Sequence, residues 1–384
     1  MPTALPHPGL PFTLAMFAVV IGVLVFIHEF GHYIVGRMFG VKADVFSIGF
    51  GRELFGWNDR RGTRWKLSLL PLGGYVKFAG DMNAASQPSP EAAAALARAT
   101  PAERAAMFQF KPVWQRALII VAGPLTNLLF AVVVFALFFA VYGYSFTPAV
   151  VDHVIAGSPA AAAGLQRGDR FVQVDGRPVS RFEDVMRIVT TNTGTPINAQ
   201  IDRRGQQLEL HLLPKLISET DRFGNRYTRG QLGVASAGRA LVPCTPLAAV
   251  GNAVREVWLL TGTMVDGVEQ VITGRRSVSE MGGPVSIAKF AGQQATLGWV
   301  SLVEFMALIS INIGLVNLLP VPVLDGGHLF LYAIEAAARR PLAPKLQEWA
   351  FASGFTALVS LMLFLTWNDL ASAGVWKQLT GLFG

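Results

Sequence analysis

The chain has 384 residues, 52% of them hydrophobic and only 15% charged, with a formal net charge of +7. Soluble globular proteins carry about 25% charged residues, so an all-soluble enzyme is excluded, and the high hydrophobicity excludes an intrinsically disordered chain. What remains is a membrane protein with some soluble mass; no clustered basic face or reading motif points to nucleic acid as a partner.

A membrane-spanning helix needs about 20 mostly apolar residues. The first candidate, Pro11 to Ile27, is uncharged and runs into His28-Glu29-Phe30-Gly31-His32, which predicts a helix over residues 11–36. No basic side chain precedes it and no small-residue cleavage site follows, so it reads as a span rather than a signal peptide. Residues 37–113 form a loop. Within it, Thr63 to Phe78 alternates only partly, and Gly73-Gly74 marks a turn or bulge, so short strands are expected. Residues 84–106, rich in Ala with Pro88, Pro90 and Pro101, read as an exposed linker with a weak helix. The second span covers residues 114–142, and Ala117 to Tyr142 holds no charged residue.

Residues 145–240 read as a small soluble domain. A strand leads to a short helix at Ser158 to Ala163 and then Gly164; two strands meet at a tight Asp175-Gly176 turn. A helix at Phe182 to Val189 and strands at Ile197 to Asp202 and Gln207 to Leu213 complete it. The spacing SPAxxAGLxxGDxxxxVDGxxV resembles a bacterial PDZ domain, in a single copy. Such domains bind extended chain ends by strand addition. Residues 241–295 connect, and Pro243 to Ile272 has amphipathic character suited to a membrane surface. Arg275-Arg276 reads as an exposed turn. The third span covers residues 296–320 with one acid, Glu304, which is expected to serve structure or gating. A turn at residues 335–348 leads to the fourth span, residues 349–368. Cys244 is the only cysteine, so neither an internal disulfide nor a cysteine-based zinc site is available.

Loop charge orients the spans. Gly36 to Arg116 holds twelve Lys and Arg against six acids, and Arg339, Arg340 and Lys345 cluster between the third and fourth spans. Both loops are therefore expected in the cytoplasm, with both termini and the soluble domain outside.

The chemistry centres on HEFGH. Helix positions i and i+4 share a face, so His28 and His32 can offer two imidazole nitrogens to one tetrahedral zinc. Glu29 lies beside them, placed to take a proton from the water that such an ion activates. Ionisable groups inside a span are expensive without a metal or a cavity. Catalytic zinc keeps three protein ligands and one open position. The third span ends in Asn317-Leu-Leu-Pro-Val-Pro-Val-Leu-Asp325-Gly-Gly-His328, and backbone broken by two prolines and two glycines at membrane depth belongs inside protein or beside a wet cavity. Asp325 is the first acid to emerge there. His328 competes at the same depth; with Asp325 as ligand it reads as a helix cap or headgroup contact. Asn127 sits near Gly123 and Pro124, where close helix packing is the simpler reading.

HEFGH, the GPLTN run from Gly123 to Asn127, NLLPVPVLDGG and the PDZ-like segment together resemble the site-2 protease family of intramembrane zinc metalloproteases, nearest its regulator of sigma-E protease group and in a single-PDZ form. The resemblance implies a polytopic α-helical membrane protein with four transmembrane helices, a cytoplasmic membrane-associated β-hairpin and one periplasmic PDZ domain, in a bacterial inner membrane. It implies Zn2+ held by His28, His32 and Asp325, Glu29 as base, and Asn317 in substrate handling. FSIGFG, with Gly49 and Gly51, and the segment holding Gly73, Gly74 and Tyr75 resemble the family's membrane-dipping loop and hairpin, and are expected to touch substrate. The partners it implies are the lipid bilayer and single-pass membrane proteins, such as pre-cleaved anti-sigma factors or remnant signal peptides. The rival reading is a non-catalytic, membrane-tethered PDZ scaffold. A metal transporter would show repeated halves, which the sequence lacks.

Overall fold

The computed structural model of the chain describes residues 8–79, 99–192, 194–220, 226–236, 238, 240–273, 282–340 and 342–372. Four helices are long and apolar enough to cross a membrane: Leu10–Met38, Val113–Tyr142, Trp299–Asn317 and Lys345–Ala371. Their outward side chains are themselves apolar, among them Val23, Leu125, Leu129, Leu137, Leu363 and Phe364. A helix apolar on its outer as well as its inner face belongs in lipid.

The chain divides into two compact units. The first holds residues 1–134 and 283–367. Its opening helix α1 (Leu10–Met38) begins with Pro11 in the first turn, where a missing N–H costs nothing. Strands β1 (Ala43–Asn58) and β2 (Arg64–Phe78) follow. The short strands expected around Thr63 to Phe78 are instead two long ones, joined by a turn in which Asp59 Oδ1 accepts from the N–H groups of Arg61 and Thr63. Each strand changes partner midway. Residues Ala43 to Ile48 pair with Phe78 back to Gly74, Val45 to Ile48 also pair with Arg64 to Leu67, and Glu53 to Asn58 pairs with Ser68 back to Arg64. Repeated register shifts blur the two-residue alternation, which is why the sequence showed it only in part. The first half of β1 is largely buried, with Phe46 against Tyr33 and Trp65; the second half exposes Leu54, Phe55 and Trp57.

Of the expected linker, residues 80–98 lie outside the described residues, as do Arg275 and Arg276. The short helix α2 (Pro101–Ala105) starts on a Thr100–Glu103 capping box. The long helix α3 (Val113–Tyr142) carries Pro124 in its interior.

The second unit holds residues 135–282 and 368–384. After α3 come β3 (Tyr144–Phe146), β4 (Val151–Val154), α4 (Pro159–Ala162), β5 (Arg170–Val174), β6 (Arg177–Pro178), α5 (Phe182–Thr191), β7 (Ile197–Arg203) and β8 (Gln206–Leu212). These follow the sequence expectations closely. Ser158 caps α4, and Asp175 and Gly176 both take positive φ, at 49° and 74°, as a two-residue hairpin turn of this hand requires. The strand order β6-β5-β7-β8 forms a four-stranded sheet. Val185 and Val189 of α5 pack with Phe171, Ile197, Ile201 and Leu212 in its core. Then β9 (Lys215–Thr220), β10 (Arg226–Gln231), β11 (Val234–Ser236) and β12 (Ala240–Val242) lead to the long helix α6 (Pro246–Ile272). Strand β11 pairs with β4, and β12 pairs with β3.

Back in the first unit, α7 (Pro284–Thr296) precedes α8 (Trp299–Asn317). The third span therefore starts three residues later than expected, because Gly298, at φ 116°, separates the two helices. The expected turn at residues 335–348 is also corrected. Helix α9 (Asp325–Ala338) runs into it and ends at Arg339 in the left-handed region, and α10 (Pro344–Ser372) occupies the rest of it from Pro344. Glu304 is exposed on α8.

Candidate functional site

The site is built where α1 meets α3 without side chains between them. A Cβ on Gly31 would run into Thr126 Oγ1 and the Ala122 carbonyl, and a Cβ on Gly123 would run into His32 Nε2. Small residues let the two backbones approach, and α3 then backs both histidines. His32 Nδ1 donates to the Ile119 carbonyl at 2.9 Å, and His28 Nδ1 lies 3.2 Å from the side-chain amide of Asn127. The other amide atom of Asn127, Oδ1, is buried without a partner. A metal-binding His28 carries its proton on Nδ1, and that arrangement requires the Asn127 amide to face it through the oxygen, which accepts the Nδ1–H. Both rings are thereby held in the tautomer that leaves Nε2 free. On α8, Ser310 Oγ donates to the Asn127 carbonyl at 2.9 Å, and a Cβ on Gly314 would sit 3.0 Å from the Pro124 carbonyl. These contacts bring the end of α8, with Asn317, to the same place.

Asp325 arrives by a different device. After α8 the chain turns through Pro320 and Pro322, and Asp325 opens α9. A Cβ on Gly326 would strike the carbonyls of Leu318 and Leu319, and one on Gly327 would strike that of Val321. The two glycines thus serve as close contacts that seat the new helix against the loop. A carboxylate in the first turn of a helix is favourably placed.

The three candidate ligand atoms converge. The two Nε2 atoms are 3.2 Å apart, and Asp325 Oδ2 is 3.0 Å from that of His28 and 3.5 Å from that of His32. Tetrahedral zinc with bonds of 2.0–2.1 Å sets its ligand atoms about 3.3 Å apart, so this spacing fits the ion. The donor set fits as well: two lone pairs and a carboxylate pointed at one another call for a cation. Among the described residues this is the cluster of His, Cys, Asp and Glu with metal-binding spacing.

The cluster opens on a cavity of about 560 Å³ whose walls include Glu29, Gly73, Gly74, Tyr75, Asn317 and His328. Val76 lines the cavity beside Glu29. A Cβ on Gly74 would come within 3.3 Å of Glu29 Cγ and 2.7 Å of Val25, so β2 lies directly on α1 at the acid. Gly49 and Gly51 do not line this cavity. They take φ of 87° and 86° where β1 changes partner, and Gly49 lies close on the Ser68 and Leu70 carbonyls. His328 sits inside α9 with its ring 4.9 Å from that of Phe351, neither a helix cap nor one of the three converging groups. Asn127 is the contributor that sequence reasoning undervalued. It does pack helices, and it also orients His28. The available signal was a lone amide in an uncharged span, which needs a partner at that depth.

Residues 16–361 match the model of "Peptidase family M50". A protein of Agrobacterium fabrum named "Putative zinc metalloprotease" is 45% identical over 361 residues, covering 93% of this chain and 95% of its own. A Rhizobium meliloti protein of the same description is 43% identical, covering 94% and 97%. Metalloprotease MmpA of Caulobacter vibrioides is 38% identical, covering 95% and 96%.

Proposed function

From the premise that the chain belongs to peptidase family M50, we propose that this integral membrane zinc metalloprotease cuts peptide bonds within the membrane-spanning segments of other proteins. The observation that carries the proposal is the convergence of His28 Nε2, His32 Nε2 and Asp325 Oδ2 within 3.0–3.5 Å of one another, beside Glu29 and among apolar spans.

His28, His32 and Asp325 would hold the ion. Bound there, zinc supplies Lewis acidity, polarising a carbonyl and lowering the pKa of water. Asn127 and the Ile119 carbonyl keep the two imidazoles in the binding tautomer. Partners of this kind affect metal affinity by about 10–100-fold when removed. Asn127→Ala is accordingly expected to weaken zinc binding by about that factor, read by competition with a chelator, while the helical circular dichroism is unchanged. An unaltered affinity would reduce Asn127 to a packing residue.

Glu29 takes the proton from the attacking water and returns it to the leaving amide nitrogen. Asn317, on the cavity wall, is placed to donate to the substrate backbone or to the oxygen on which charge develops. The substrate bond must first be released, because the carbonyls of a membrane helix are hydrogen-bonded internally. One edge of Gly74 to Phe78 is paired with β1; among the described residues no strand pairs with the other. An unwound segment added there would pass Glu29. Gly74→Pro places bulk against Val25 and the Ser47 carbonyl, at the point where β2 meets α1. It is expected to lower cleavage by about a hundredfold through misplacement, with zinc content retained; unchanged cleavage would remove β2 from substrate binding.

We read residues 145–240 as a PDZ domain. A groove of about 190 Å³ between α5 and Gly230 to Val234, walled by Ile155, Val185, Met186 and Val189, suits an extended chain end. The positive-inside pattern places both basic loops and the zinc site toward the cytoplasm, with the PDZ domain and both termini in the periplasm. The exposed Leu54, Phe55 and Trp57 suit a hairpin that dips into the inner membrane. Single-pass membrane proteins shortened by an earlier cut, such as anti-sigma factors or signal-peptide remnants, are the proposed substrates. The test is cleavage of such a protein by the reconstituted full chain, with Glu29→Gln as control.

A further inference from the structure

Asp59 stands in the turn between β1 and β2, and four donors converge on its carboxylate. Oδ1 accepts the backbone N–H groups of Arg61 and Thr63 at 2.8 and 2.9 Å. Oδ2 accepts the Trp65 Nε1–H at 3.0 Å and the Tyr33 hydroxyl at 3.3 Å. The first pair is the ordinary use of an aspartate that closes a turn. The second pair reaches into β2 and into α1, and turn closure does not require it. Desolvation raises the pKa of this carboxyl, but the four hydrogen bonds outweigh it and hold the group below the usual carboxylate range. The acceptor is therefore anionic, and its bonds are of the stronger, charge-assisted kind.

Tyr33 leads to the face of α1 that carries the proposed base. Phe26, Glu29, Phe30 and Tyr33 follow one another at i, i+3, i+4 and i+7, which puts them on one stripe. The β1–β2 sheet rests on that stripe. Phe26 and Tyr33 both meet Phe46 of β1, with ring centroids 5.6 and 5.8 Å apart, and Tyr33 meets Trp65 of β2 at 5.2 Å. Apolar burial is non-directional, so the rings alone would let the sheet slide along α1. The two hydrogen bonds to Oδ2 fix it.

Trp65 leads to the cavity. It pairs with Trp57 and with Phe46, and Phe46 pairs in turn with Val76. These four residues form one row across the sheet. The Trp65 and Phe46 rings stack at 4.3 Å, and at the end of the row Val76 stands in the cavity wall. Val76 belongs to the Gly74 to Phe78 segment along which an unwound substrate would be added.

We infer that Asp59 is a positioning residue: by holding Trp65 and Tyr33 together it sets where the Gly74 to Phe78 segment lies along α1, and so which peptide bond of a bound substrate faces Glu29. The inference deepens the reading of the chain as an intramembrane protease and rests on it.

Asp59→Asn separates the two uses of the carboxylate. Its oxygen can still close the turn, while its NH2 then meets the Trp65 N–H, donor against donor. In the reconstituted full chain with a single-span substrate, Asp59→Asn is expected to keep the parental zinc content and helical circular dichroism. It is expected to lower kcat by about ten- to a hundredfold, with KM changed by less than about twofold. Mass spectrometry of both fragments is expected to show the cut spread over neighbouring peptide bonds. Thr63→Val is the control for a sheet that is merely weakened, because it removes the hydrogen bond from Thr63 Oγ1 to the Ala43 carbonyl at the same turn. It is expected to lower the melting temperature and leave the cut at the parental bond. A slower cut at an unmoved bond in Asp59→Asn, the same spreading in Thr63→Val, or loss of zinc from Asp59→Asn would overturn the inference. A parent that makes no Glu29-dependent cut in the span would instead overturn the reading beneath it.

Discussion

Glu29→Gln in the full-length chain is expected to bind zinc as the parent does and to lose cleavage of a membrane-embedded substrate by about 10²–10⁴-fold, the range over which a positioned base contributes. The substitution is nearly isosteric. It keeps the size and shape of the side chain and removes only the ability to take up a proton. Glu29 follows His28 in the helix, and its side chain reaches the cavity wall next to Gly74. The expected pair of results is intact metal by elemental analysis and an uncleaved substrate by gel. Residual cleavage close to that of the parent would place the base elsewhere. Loss of zinc as well would assign Glu29 to holding the site together.

The second large effect concerns Asp325. Asp325→Asn preserves size and removes the charge that faces both Nε2 atoms at 3.0 and 3.5 Å. An orienting partner already accounts for about 10–100-fold in affinity, so the loss of a direct, anionic ligand is expected to weaken zinc binding by more than about a hundredfold, with cleavage falling in parallel. His328→Ala is the informative companion. His328 lines the same cavity, but its ring packs on Phe351, and it stands outside the three-atom cluster. It is expected to keep its zinc through chelator treatment that strips Asp325→Asn. The reverse pattern, measured as zinc per chain, would exchange the two roles.

The candidate site was legible to different depths. His28, Glu29 and His32 follow from one helical spacing, and Asp325 from being the first acid after a broken span. These are local patterns, and local patterns survive folding. The small β domain was readable for the same reason, since the Ser158 cap and the Asp175-Gly176 turn act within a few residues. The glycines were harder. Gly326 and Gly327 read as helix breakers, yet they begin a helix, because what they accommodate are the carbonyls of Leu318, Leu319 and Val321. Gly31 and Gly123 matter through atoms on another helix, which no window along the chain contains. Asn127 shows the same limit: an amide in a span announces a need for a partner, but only the α1–α3 crossing identifies it as His28. The β1–β2 sheet was understated because β1 bends at Gly49 and Gly51 and its register against β2 shifts repeatedly, which interrupts the alternation that signals a strand.

The central claim is that the peptide bond is cut inside the membrane. The most direct measurement is to reconstitute the full chain in vesicles with a single-span substrate and to determine by mass spectrometry the termini of both fragments. The account predicts one principal cut within the apolar span, present with the parent and absent with Glu29→Gln. Cuts confined to the water-exposed flanks, or a cut inside the span that persists in Glu29→Gln, would contradict it.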